Sequence, residues 1–467
     1  MMLKEYFWVS EEERKKDASR VGLVQLALPL MLESFMRCTV GMIDVAFLSR
    51  ISDEVVSAVS VSNQFLVFCQ MFATAMAMGA TVCINQAIGM KNREKVNMLA
   101  TISVTSNLTI GLVVGLVFVL CPKVVLSIMT LDENAVAVAS RYLRIAGGAM
   151  FVQSVEIVLV NLCRSTGRIR APLAINFMAN IINVIGNYLT VFHADLFWNV
   201  DPVIGVAAAT VLSRVASLAV AVILIRRSGV RCSLKYLRPF PREDFKLVLT
   251  IGVPGGISMM TYSLSQLVTT AIISSLGLMT IAAKVYVQNI VQYVAIVGQT
   301  FAQASAIMVG YRLGAAKYDE AKKVCGMVMR IAVLSNGFFS ILIFTVRYPL
   351  LGVFTEDPAI IAIAASIFFL DFFVELGRGL NNSLGGALQA AGDVRFLLIV
   401  NQSCAWLLAV GCSYLFGVVL DMGLFGVWLA FACDELIRGN ILRWRWKSGR
   451  WVEGSKRKRE IIAAPRA

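Results

Sequence analysis

The sequence repeats itself half-way along its length. Pro29 in ALPLMLES is answered by Pro254 in GVPGGISM, Gly89 in NQAIGMKNREKV by Gly314 in GYRLGAAKYDEA, and Gly167 in STGRIRAPLAIN by Gly392 in AAGDVRFLLIVN, each 225 residues further on. A last pair, Gly205 and Gly426, is offset by 221. Register held this long implies a duplicated fold. Between the landmarks lie twelve apolar runs, starting near Val21, Val55, Met98, Tyr142, Pro172, Ile204, Leu247, Ile281, Val324, Ile360, Phe396 and Gly423. Each is long enough to cross a bilayer as a helix, for which about 20 apolar residues suffice. A chain that is 58% hydrophobic and 15% charged, with a mean hydropathy of +0.74, is too apolar for a water-soluble globule. The expected fold is therefore an all-α membrane protein, with twelve transmembrane helices in two parallel six-helix repeats. Six helices separate the copies, an even number, so both halves share one orientation and an axis along the membrane normal.

The charges between the runs fix a topology. Lys91, Arg93 and Lys95, then Arg164, Arg168 and Arg170, then the long basic segment from Arg226 to Lys246, then Arg312, Lys317, Lys322 and Lys323 fall at alternate connections, and Lys15, Lys16 and the basic tail fall on the same side. By the positive-inside rule both termini face the cytoplasm, and the location is the cytoplasmic membrane. The expected organisation is a cytoplasmic segment 1–20, a six-helix bundle 21–225, a linker 226–246, a second bundle 247–443 and a basic tail 444–467. The polar, acidic N-terminus is no secretory signal. The net charge of +14 is explained by these loops and implies anionic membrane lipid as a partner, not nucleic acid. The ten cysteines are scattered without metal-ligand spacing and read as small buried hydrophobes.

Charges inside the runs are the functional clues, because an ionised side chain at membrane depth has to face protein or water. Glu33, Arg37 and Asp44 fall within about 40° of one another on the first helix. Glu33 and Arg37 are one turn apart and suit an internal ion pair. Asp44 has no basic partner at local spacing, which makes it the candidate ion-coupling carboxylate. Asp371, Glu375 and Arg378 share one face of the tenth helix. Glu156 is the lone acid of its helix, a cation site or a partner for a neighbour's arginine. Gln288, Gln292, Gln299 and Gln303 form a stripe within about 60°, either lining a cavity or bonding between helices. Asp434, Glu435 and Arg438, near the end of the last helix, read as packing or gating residues. Pro29 and Pro254, matched in the two halves, are candidate hinges.

The matched prolines, GMIDVAFLSR, QAIG before a basic loop, LCRSTGRIRAPLAIN, ANIINVIGNYL, GVAAAT and ALQAAGDVR, in this order and repeated, resemble the multidrug and toxic compound extrusion (MATE) family over nearly the whole chain. The resemblance implies a secondary antiporter that expels bulky, often cationic compounds while Na+ or H+ enters, with no prosthetic cofactor, acting as a monomer. It places the family's first-helix acid at Asp44. Other family acids are missing: Tyr262 stands where NorM-type members carry a Glu, Asn187 where DinF-type members carry an Asp, and Arg378 near a further acid of NorM-type members. Tyr262, Asn187, Gln288 and Gln292 are therefore cavity-lining candidates. Since the first and tenth helices both border the cleft in that family, pairs of Asp44 or Glu33 with Arg378, and of Glu375 with Arg37, are an expected switch. Two rivals are a flippase of a lipid-linked intermediate and an exporter of organic anions. An enzyme is disfavoured by the single histidine, His193, and by the lack of any nucleophile or HExxH motif.

Overall fold

The computed structural model describes residues 22–48, 52–127, 132–168, 170–193 and 201–463; within these the side chains of 37–46, 48, 53 and 54 are not described. Helices are the only regular structure among the described residues. The long ones are α1 (Leu23–Leu48), α2 (Asp53–Gly89), α3 (Arg93–Leu120), α4 (Glu133–Gly147 continued by Met150–Ser165), α5 (Ala171–Phe192) and α6 (Pro202–Arg227). The second set is α7 (Arg242–Ser275), α8 (Leu278–Gly314), α9 (Tyr318–Thr345), α10 (Pro358–Ala390), α11 (Val394–Val419) and α12 (Gly423–Ser448). A shorter α13 (Trp451–Ala463) follows.

Nine of these helices are long and apolar enough to span a membrane by themselves, and the two segments of α4, bent by 46°, make a tenth span. Of the remaining two, α12 carries Asp434, Glu435 and Arg438 inside its apolar stretch, and α1 is apolar over the described Leu23–Met36. Helices satisfy every backbone group internally, which is what the bilayer core demands.

The duplication is kept to the level of backbone angles. α2 and α8 have 37 residues each and α3 and α9 have 28 each, all starting and ending at the 225-residue offset. Lys91 and Ala316, one offset apart, close the α2–α3 and α8–α9 turns with the same positive φ of 59°. A non-glycine residue is uncommon there, so its recurrence marks one inherited turn geometry. The helix starts are capped locally: Asn92 Oδ1 accepts from Lys95 N at 3.0 Å, and Asp357 Oδ1 from Ala359 N at 2.8 Å with Pro358 in the first turn.

The halves differ where glycine allows it. α4 is π-wound over Leu143–Gly147 and bends at the Gly147–Gly148 pair, whereas its counterpart α10 runs unbroken for 33 residues. A Cβ at Gly115 of α3 would lie 2.9 Å from the Gly148 carbonyl, so the bend is held against a bare backbone. The fourth span thus begins at Glu133, before the expected Tyr142, because the polar first turn is drawn into the bent pair.

Packing divides the chain at places other than the expected 226–246 linker. Leu28–Gly256 forms one compact unit, and Ile257–Ala464 with the start of α1 up to Ala27 forms the other. Both divisions lie inside helices, next to Pro29 and Pro254, and each helix continues through its proline. The linker is docked on the first unit. Lys95 Nζ meets both carboxylate oxygens of Asp244 at 3.1 Å, and the backbones of Arg231 and Ser233 donate to Asn97 Oδ1 and Thr101 Oγ1 at 2.9 and 3.2 Å. In the same unit α2 and α7 approach through small residues four apart. A Cβ on Gly252 would sit 2.7 Å from the Ala75 carbonyl, and one on Gly256 2.7 Å from the Ala75 Cβ.

Candidate functional site

The second unit encloses a polar cavity of about 580 Å³. α7 supplies Tyr262 and Gln266, α8 supplies Gln288, Gln292 and Gln299, α10 supplies Asp371, Arg378 and Asn381, and α12 supplies Trp428, Asp434, Glu435 and Arg438. The glutamine stripe of α8 therefore lines open space, with its last member, Gln303, on an adjoining cavity of about 300 Å³. Asn381, Asn382 and Arg438 border both.

Two glycines let the charged helices come together. A Cβ at Gly377 of α10 would lie 2.7 Å from the Glu435 Cβ, and one at Gly439 of α12 would lie 3.1 Å from the Leu380 Cβ. This close α10–α12 contact joins charges 50 to 60 residues apart into one network. Arg378 donates to Glu375, and its Nε lies 4.0 Å from Glu435 Oε1. Arg438 Nη2 meets Glu435 Oε1 at 2.8 Å and Asp434 Oδ2 at 2.9 Å. Neutral donors hold the acids: Asn336 Nδ2 to Glu375 Oε2 at 3.1 Å, Trp428 Nε1 to Asp371 Oδ1 at 3.3 Å, and Asn381 to the Glu435 side chain. Glu375 is wholly buried behind the wall. Three carboxylates, Glu375, Asp434 and Glu435, thus share two guanidiniums, with Asp371 held by Trp428 on the same wall, and Asp434 Oδ1 and Arg438 Nε are buried with no hydrogen-bond partner.

The first unit holds its charges differently. Glu33, 3% exposed, accepts from Arg164 Nη2 at 2.6 and 2.7 Å and from Asn176 Nδ2 at 3.0 Å. At the repeat offset these three positions become Ser258, Gln389 and Asn401, and Asn401 Nδ2 again reaches Ser258 Oγ, at 3.5 Å. One packing motif is charged in one half and neutral in the other. Glu156 Oε2 lies 3.5 Å from Arg214 Nη1. Its repeat equivalents are Asn381 and Glu435, which are also in contact, with the acid now on the other helix. Asn187 is 1% exposed and donates to Asn183 at 3.3 Å, which donates to Thr210 of α6 at 3.3 Å, so it sits in the α5–α6 contact and not on open space.

The structure brings Asp371, Glu375, Arg378, Tyr262, Gln288 and Gln292 into one unit around one cavity. Within its own unit Arg378 is paired with Glu375 on the same helix and lies beside Glu435 of α12, and within its own unit Glu33 is paired with Arg164 of α4. The side chains of Arg37 and Asp44 lie outside the described residues, as does the pairing of either. Sequence reasoning missed the place of Asp434, Glu435 and Arg438 in the cavity wall, and it read Arg164 only as a basic loop residue. The i, i+3 and i, i+4 spacing of the α12 charges was visible, but not the helix they face.

The MatE family model matches residues 29–189 and 254–415, two copies that start at the paired prolines. The chain belongs to the MATE family of transporters. It is 31% identical over 441 residues to the uncharacterized transporter YisQ of Bacillus subtilis, covering 94% of this chain and 97% of that one. It is 26% identical over 449 residues to a probable multidrug resistance protein NorM of Thermotoga maritima, covering 95% of each. Its fold matches an outward-facing multidrug resistance MATE transporter of the MOP superfamily with a TM-score of 0.82 at 19% identity, over 92% of this chain and 96% of that one. The twelve-helix, two-repeat fold of a MATE-family membrane protein is thereby established.

Proposed function

We propose that this MATE-family chain exports bulky organic cations across the cytoplasmic membrane by alternating access, in exchange for H+ or Na+. The observation that carries the reading is the cavity of about 580 Å³ whose network sets Asp371, Glu375, Asp434 and Glu435 against only Arg378 and Arg438. With all six ionised it bears a net negative charge of two, which a cation can offset. Buried carboxylates that share too few partners also exchange them at low energetic cost, which suits a site that alternately binds substrate and a small cation. The name of the Thermotoga maritima relative, a probable multidrug resistance protein, supports the export of drug-like compounds.

The test is transport in proteoliposomes with sodium and pH gradients imposed separately, using an aromatic cation and an aromatic anion of similar size. One gradient is expected to drive the cation and leave the anion unmoved. Preferential movement of the anion would favour the organic-anion reading, which the two arginines in the wall motivate. Coupling is assigned to Asp44, the first-helix acid without a local basic partner in sequence. Asp44→Asn is expected to keep expression and lose gradient-driven efflux; unchanged ion dependence would move coupling to Glu156 or Glu375.

A further inference from the structure

The face of α12 turned away from the cavity carries a different pattern. Leu436, Ile437, Ile441 and Trp444 line a shallow apolar groove of about 560 Å³, with Ile437 44% and Trp444 54% exposed. Asn440 and Trp444 continue from it into a second depression of about 580 Å³ lined by Arg443, Lys447 and Ser448. The Arg450 guanidinium lies 5.2 Å from the Trp444 ring centroid. Arg443, Lys447 and Arg450 are exposed and have no ion-pair partner among the described residues, whereas Arg445, on the other side of the helix, is held by Asp393 at 2.8 Å. α12 is a span of a membrane protein, so an exposed apolar groove on it faces acyl chains. Tryptophan marks the level of the headgroups, and unpaired cations just beyond attract anionic lipid.

We propose that this face is a binding site for one anionic phospholipid, an acyl chain lying along Leu436, Ile437 and Ile441 and the phosphate held by Arg443, Lys447 and Arg450. Charge complementarity selects this occupant. A second copy of the chain would bring three more cations against the three already there. The site rests on the membrane fold alone, and a failure of the proposed transport would leave it standing.

Native mass spectrometry of the full chain with phosphatidylglycerol or phosphatidylcholine at equal concentration tests it. Phosphatidylglycerol is expected to give the tighter adduct. The triple variant Arg443→Gln, Lys447→Gln, Arg450→Gln should weaken that adduct at least about tenfold with phosphatidylcholine unchanged. A control removing Lys246, Lys322 and Lys323 should leave it within about twofold. Equal binding of the two lipids, an unaltered triple variant, or an equal loss in the control overturns the site. A photoreactive residue at Ile437 should capture lipid; capture of a second chain overturns it too.

Discussion

At the scale of the residue, the charges buried in the two units answer to different physics. Glu33 accepts three hydrogen bonds from two donors, Arg164 and Asn176, and has little exposure, so it behaves as a fixed strut between α1, α4 and α5. Removing one member of such a buried pair leaves the other uncompensated, at a cost of about 3–5 kcal/mol, while removing both can be nearly neutral. Arg164→Met is accordingly expected to lower the thermal unfolding midpoint sharply, and Arg164→Met with Glu33→Gln to recover most of the loss. A double variant no better than the single would mean that Glu33 draws its stability from elsewhere. The α12 network is the opposite case, since Glu435 is shared between Arg378 and Arg438. Exchange of charge between Arg378 and Glu435 is therefore expected to restore part of the transport that Arg378→Glu abolishes. Reversal of Glu33 instead, measured in the same efflux assay, should restore none.

At the scale of the element, close helix contacts are set by small residues, because association in lipid relies on packing and not on the hydrophobic effect. Gly252 meets the backbone of Ala75, while a Cβ added at Gly326 of α9 would meet nothing within 4 Å. Gly252→Val is expected to push α2 from α7 and cost at least about 1–3 kcal/mol. Gly326→Ala should be neutral or stabilising by up to about 1 kcal/mol, since it only reduces freedom in the unfolded helix. Thermal unfolding of the two variants in one detergent compares them directly. Equal destabilisation would show that the α2–α7 contact is looser than its glycines indicate.

At the scale of the whole molecule, counting spans from the N-terminus assigns the α2–α3, α4–α5, α8–α9 and α10–α11 turns to the same side of the membrane as the linker. A reporter placed at Lys235 is therefore expected to be cytoplasmic, and one at Asp132, between α3 and α4, external. The reverse pattern would invert the proposed orientation without touching the fold. Much of this scale was legible in the chain: helix starts fell within about ten residues of the apolar runs, since a bilayer imposes length and composition on every span. The candidate site was less so. Gln288, Gln292, Asp371 and Arg378 could be placed on shared faces, since helical periodicity is local, but Glu435 and Arg438 could not be assigned to that cavity.

The sequence by itself determined the number of spans, their duplication and their polar faces, because all of these follow from local periodicity and from the bilayer as solvent. Only the tertiary structure decided which helix each face meets. Arg164 reached Glu33, and Glu435 came between Arg378 and Arg438, through contacts such as Gly377 against α12, whose closeness depends on the absence of a side chain on one helix and the position of another more than 50 residues away. The packing boundary beside Pro29 and Pro254 was decided in the same way, since a helix unbroken in its hydrogen bonds can still change neighbours part-way along its length.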